Sequence, residues 1–290
     1  MANYEKYYVP EQSKWPAVGA FALLLMILGA GQVMHDLKTG GGWGAYVLLA
    51  GIAILLYFMI GWFRDVIHES LSGKYSAQMD RSFRMGMMWF IVSEVMFFAG
   101  FFGALFYART FVVPWLGGEG NNAMTHELLW PDFIPRWPLT ETPAGETTTA
   151  MPPWGLPFVN TILLVTSSFT LTWAHHALKA GNRAKTILGL VLTLVLGFSF
   201  LALQVEEYIH AYTEMGLTLG SGIYGSTFFM LTGFHGMHVT VGAIMLTVML
   251  VRAIKGHFTP EKHFAFEAAA WYWHFVDVVW IALFAFVYVL

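Results

Sequence analysis

With 290 residues, 57% of them hydrophobic and only 11% charged, the chain is far more apolar than a soluble domain, which carries roughly 25% charged residues. Its net charge of −3 is too small to favour nucleic acid or any strongly charged partner. The lack of cysteine excludes disulfides, thiolate metal sites and covalent haem attachment through Cys. A mean hydropathy of +0.59 with 12 Trp and 25 Phe fits a polytopic membrane protein.

In chain order, the segment up to Pro16 is polar, carries Glu5 and Glu11, and has neither a signal-peptide nor a transit-peptide pattern. The first span is therefore expected to direct insertion itself. Apolar runs near 16–35, 43–63, 84–111, 156–178, 186–208, 223–251 and 267–289 predict seven spanning helices and an all-α fold. The third and sixth runs exceed the spanning minimum, which implies tilt or extension beyond the bilayer. Between the third and fourth runs, residues 112–155 are rich in Pro, Gly, Thr and acids, and predict an irregular, partly mobile outer excursion. Short outer turns are expected at Gly40–Gly42 and at Gly216–Gly222. Of the 15 Lys and Arg, only Lys38, Arg109 and Arg136 fall on outer segments when the N-terminus is inside. The positive-inside rule then places the N-terminus inside and the C-terminus outside, with the cytoplasm as the inside in a bacterial plasma membrane. No internal repeat is visible, which weakens an inverted-repeat transporter.

Polar groups inside these runs carry the chemistry. Glu94 stands alone in the run Met85–Phe102, where a charge at bilayer depth costs at least a few kcal/mol by insertion scales. Absent a cation nearby, burial there favours the neutral acid. Gly86, Ser93 and Gly100 recur beside it as a small-residue stripe that lets another helix approach closely. Glu94 reads as a proton-active group, as an anchor for something polar held within the bundle, or as a neutral acid bonded to a neighbouring helix. His235 and His238 are three apart, as are His274 and Asp277, so each pair shares a helix face. The first pair suits haem or copper ligation, or packing; the second suits a proton shuttle, or a polar clip between helices. His175 and His176 are adjacent, so they diverge around their helix. Glu206 and Glu207 predict a solvated acidic edge at the outer surface. Trp62–Ser70, with Arg252 and His257, reads either as a cradle for anionic lipid head groups or as an ordinary snorkelling belt. No catalytic residue and no metal ligand set is assigned.

The runs Trp62–Ser70, Ser93–Phe102, Thr172–Ala177, Gly222–Phe229, Gly233–Val239 and Phe266–Trp280, in that order, resemble subunit III of haem–copper cytochrome c oxidase. The resemblance implies two helices, within residues 1–80, and five, within residues 81–290, separated by a V-shaped phospholipid-binding cleft. It implies a non-catalytic subunit with no cofactor of its own, assembled with subunits I and II, which hold haem and copper. It further implies support of proton uptake and protection of the catalytic subunit. Glu94 then matches the family's buried carboxylate, and Trp62, Ser70, Arg252 and His257 match lipid-contacting positions, while His68 stands where some members have Arg. Quinol oxidase counterparts often lack the first two spans, so their presence leans toward cytochrome c as electron donor. A quinol oxidase subunit III and an independent proton-coupled transporter are the alternatives.

Overall fold

The computed structural model describes residues 8–10 and 12–290, so Glu5, Lys6 and Glu11 of the charge pattern lie outside the described residues. Seven helices among those residues are long and apolar enough to cross a membrane, and there is no strand beyond one isolated bridge between Glu141 and Thr147. The chain forms two compact units, the first ending at Phe83 and the second running Arg84–Leu290.

In the first unit, α1 (Trp15–Thr39) and α2 (Gly44–Leu71) form an antiparallel hairpin. Gly40 ends α1 at φ +83°, a left-handed conformation that glycine adopts without a Cβ clash, and its N–H donates to the Asp36 carbonyl. The Asp36 carboxylate accepts from Gln32 Nε2 at 2.7 Å and from the Gly44 N–H at 2.8 Å, satisfying an orphan donor at the start of α2. Close backbone approach drives this hairpin, since lipid is as apolar as the side chains. A Cβ on Gly51 would sit 2.8 Å from the Met26 nitrogen, so only glycine permits the spacing.

The stretch Trp62–Ser70, which lies mostly beyond the apolar run near 43–63, is helical, because α2 continues to Leu71. Hydropathy falls there, but Arg64, Asp65 and Glu69 are compatible with a helix and simply carry it out of the apolar run. Asp65 Oδ2 accepts from Trp15 Nε1 at 2.6 Å, tying the start of α1 to α2. Glu69 accepts from Tyr75 Oη at 2.7 Å; burial first, and that carboxylate next, push the Tyr75 phenol up. Helix α3 (Ala77–Tyr107) begins within this unit.

In the second unit α3 continues into a π-helical turn at Ala108–Val112 and short helices α4 (Val113–Leu116) and α5 (Ala123–Leu129). Then come α6 (Leu156–Lys179), α7 (Arg183–Thr213), α8 (Ile223–Ile254) and α9 (Phe264–Leu283). Neighbours pack in the order α6–α7–α8–α9, and α9 returns to α6. Trp273 and Trp280 of α9, both fully buried, fill the centre. Their indole N–H groups donate to Ser167 Oγ at 2.8 Å and Thr161 Oγ1 at 2.9 Å on α6. Glycine notches on α7 and α8 receive Trp273: a Cβ on Gly197 would lie 2.6 Å from Cη2, and one on Gly242 2.9 Å from Cε3.

Two expectations change here. The 112–155 segment is packed, with Val113, Phe133, Leu139 and Met151 buried in the unit's hydrophobic core. Its composition hides these apolar anchors among Pro, Gly and Thr. The Met151 N–H donates to Tyr224 Oη at 3.2 Å, and the Thr149 N–H to the Met215 carbonyl at 3.1 Å. The stripe on α3 does not hold a neighbouring helix either: nothing lies within 4 Å of a Cβ position on Gly86 or Gly100 among the described residues. Instead α3 meets the unit through long side chains, including Phe90 with Tyr272 and Phe97 with Phe234.

Candidate functional site

Helix α3 presents Glu94 and α8 presents His238, with Glu94 Oε2 and His238 Nε2 2.7 Å apart. The other ring nitrogen, Nδ1, lies 2.6 Å from the Phe234 carbonyl oxygen. A carbonyl only accepts, so Nδ1 carries a proton and the proton between Nε2 and Oε2 is a single shared one. Whether it resides on nitrogen or oxygen, the pair is net neutral. That neutrality is how a carboxylate is tolerated among apolar helices. Phe97 and Phe98 pack on the imidazole, with ring centroids 5.7 and 5.0 Å away, and wall the pair in.

His235, one turn before His238, is fully buried against Phe200 and Trp280. Its Nε2–H donates to the Val276 carbonyl at 3.1 Å. His238 has both ring nitrogens engaged and His235 keeps only Nδ1 free, so the shared face does not offer two free imidazoles to one iron or copper. On α9, His274 Nδ1 lies 2.5 Å from Ser168 Oγ of α6 and 3.8 Å from Asp277 Oδ2, the latter beyond hydrogen-bond reach. His274 therefore clips α9 to α6.

Glu207 is the clearest departure from expectation. It is fully buried, with Tyr288 Oη donating to Oε1 at 2.8 Å, whereas Glu206 remains exposed. The two are adjacent, so they point about 100° apart, and here Glu206 faces outward while Glu207 turns into the core. Sequence position near a helix end suggested a wet edge for both, and the tyrosine from the end of the chain was not visible in it.

The lipid-type positions fall in both units. Trp62, His68 and Ser70 are exposed on α2, Trp62 stacking on Phe58 at 5.5 Å. Arg252, 7% exposed, lies at the end of α8 with its guanidinium 4.6 Å over the Phe258 ring and its Nε without a partner. His257 Nδ1 is also without a partner. Burial, then the Arg252 and Lys255 charges, push the His257 imidazole down.

A sequence profile of the family described as Cytochrome c oxidase subunit III matches residues 5–290. The chain belongs to the cytochrome c oxidase subunit III family. Proteins named cytochrome c oxidase subunit 3 from Squalus acanthias, Carassius auratus and Oncorhynchus mykiss are each 42% identical over 283 residues, spanning 97% of this chain and 96% of the relative. As a subunit III family member, the chain is a multi-pass membrane protein and part of an oxidase complex.

One cluster in this subunit III fold escaped the sequence reading. His175 on α6, and His263 and Glu267 at the start of α9, converge so that their donor atoms all lie within 4.8 Å of one another. Arg84 of α3 pairs with Glu267 Oε2 at 2.5 Å. The legible signal is His263-x-x-x-Glu267, two donors on one helix face, whereas His175 comes from a different helix.

Proposed function

We propose that this chain is an accessory subunit of a cytochrome c oxidase, without haem or copper of its own, that binds phospholipid and supports proton uptake and stability of the catalytic subunit. The observation that carries it is that three of the intramembrane polar groups are each committed to a partner side chain. Glu94 and His238 share one proton, His274 holds Ser168, and Glu207 holds Tyr288. Such groups lock helices together, and the face shared by His235 and His238 does not offer two free imidazoles to one haem. Subunits I and II would then supply the haem and copper chemistry, and cytochrome c the electrons, a donor favoured by the presence of α1 and α2. The charge bias supports an N-terminus on the inner side of the membrane and a C-terminus outside, the inner side being the cytoplasm if the membrane is a bacterial plasma membrane.

Arg252 and His257 support lipid binding through their partnerless buried nitrogens, which a phosphate oxygen would satisfy. On the first unit, exposed Trp62, His68 and Ser70 of α2 would make interfacial lipid contacts of their own. The test is Glu94→Gln in the purified oxidase. Haem content should stay intact while proton uptake or retained phospholipid changes modestly. Complete loss of the haem signal in that variant would contradict an accessory role.

A further inference from the structure

We propose that His175, His263 and Glu267 form a binding site for a divalent transition-metal ion of the zinc type, at the junction of the C-terminal end of α6 with the N-terminal end of α9. His175 Nε2 lies 3.6 Å from Glu267 Oε1, and His263 Nε2 lies 3.4 Å from the same oxygen. Ligands at about 2.0–2.1 Å from a tetrahedral ion sit roughly 3.4 Å apart, so these separations already approach a coordination shell. They are too long for hydrogen bonds, and both imidazole Nε2 atoms are buried with no hydrogen-bond partner.

The tautomer is set for ligation. His263 Nδ1 lies 3.2 Å from the Thr259 carbonyl oxygen, which can only accept, so the proton sits on Nδ1 and the Nε2 lone pair faces the cluster. Arg84 engages Glu267 through Oε2, which orients the carboxylate and leaves Oε1 turned to the imidazoles. His263 is 9% exposed and the His175 side chain 22%, so the cluster lies nearest the surface on the His175 side. Phe266 packs against the His175 ring at 5.5 Å, restricting its rotation.

Two neutral imidazoles and one carboxylate favour zinc over magnesium or calcium, which prefer all-oxygen shells. A water molecule would complete the fourth position. Arg84 and Lys179, one turn from His175, bring positive charge close, which tempers affinity without removing any donor. The ion would staple α6 to α9 and do no redox chemistry, so the site goes beyond the accessory role and does not depend on it.

The test uses the full chain in mild detergent, washed with chelator and then given Zn2+ alone, with Mg2+ as control. About one zinc per chain should survive gel filtration, with X-ray absorption showing imidazole nitrogens near 2.0 Å. Zinc should also raise the thermal unfolding midpoint. His175→Gln and His263→Gln should each weaken zinc binding at least tenfold and abolish that rise, while the zinc-free midpoints stay close to wild type. His175→Gln, at the more exposed ligand, keeps the test decisive if His263→Gln destabilises the fold. Unchanged zinc stoichiometry in the two single variants, or no zinc retained by the wild type, would overturn the proposal.

Discussion

At the residue scale, the Glu94–His238 pair is how α3 and α8 carry polar groups among apolar side chains. The neutral-acid expectation assumed no basic group nearby, yet His238, 144 positions away, supplies one at 2.7 Å. Spacing within a helix reveals faces, and it does not reveal which face of another helix they meet. The shared proton sets an order among substitutions. Glu94→Gln keeps a donor for His238 Nε2 and should cost under about 1 kcal/mol, whereas His238→Ala strands a carboxyl group and should cost about 1–3 kcal/mol. Unfolding midpoints in detergent would check this, and equal losses would contradict the shared proton.

His257 carries a second residue-scale expectation. Its imidazole is depressed below the ordinary value of 6.5 in the folded chain, by burial and then by Arg252 and Lys255. A depressed value means that the unfolded chain takes up the proton first as pH falls. Stability contributed by neutral His257 is therefore present above about pH 6.5 and lost below it. In detergent free of anionic lipid, the wild type should lose stability more steeply than His257→Gln between pH 6.5 and 5. Parallel curves would show that the imidazole is not held neutral.

At the element scale, hydropathy located the seven spanning helices, because bilayer thickness demands long apolar runs. It missed their ends. Helix α2 runs on through Trp62–Ser70 to Leu71, and α7 extends to Thr213, since helix geometry persists where side chains turn polar. Glycine patterns were less legible still. Gly86 and Gly100 looked like a packing stripe and face open space, while Gly197 and Gly242, unremarked in sequence, form the notches for Trp273. Only the identity of the opposing side chain separates the two cases. Gly197→Ala should therefore destabilise the second unit by about 1–3 kcal/mol through overpacking. Gly100→Ala should be neutral or slightly stabilising, given alanine's better helix propensity. Thermal midpoints of the two variants that coincide would refute the notch.

At the scale of the whole molecule, class and family were the most legible properties, because both reside in long collinear patterns rather than in single contacts. The apolar anchors of the 112–155 segment and the His175, His263 and Glu267 cluster were not, since each depends on residues meeting across elements. Membership in the subunit III family makes the chain part of an oxidase complex, and the paired polar groups tie helices together within it. The most direct test is a mild-detergent pull-down of the tagged chain from native membranes, with redox difference spectra before and after the subunits are separated. A cofactor-free accessory subunit predicts haem absorbance that co-purifies and then stays with the partners. Haem absorbance that remains with this chain after separation would contradict it.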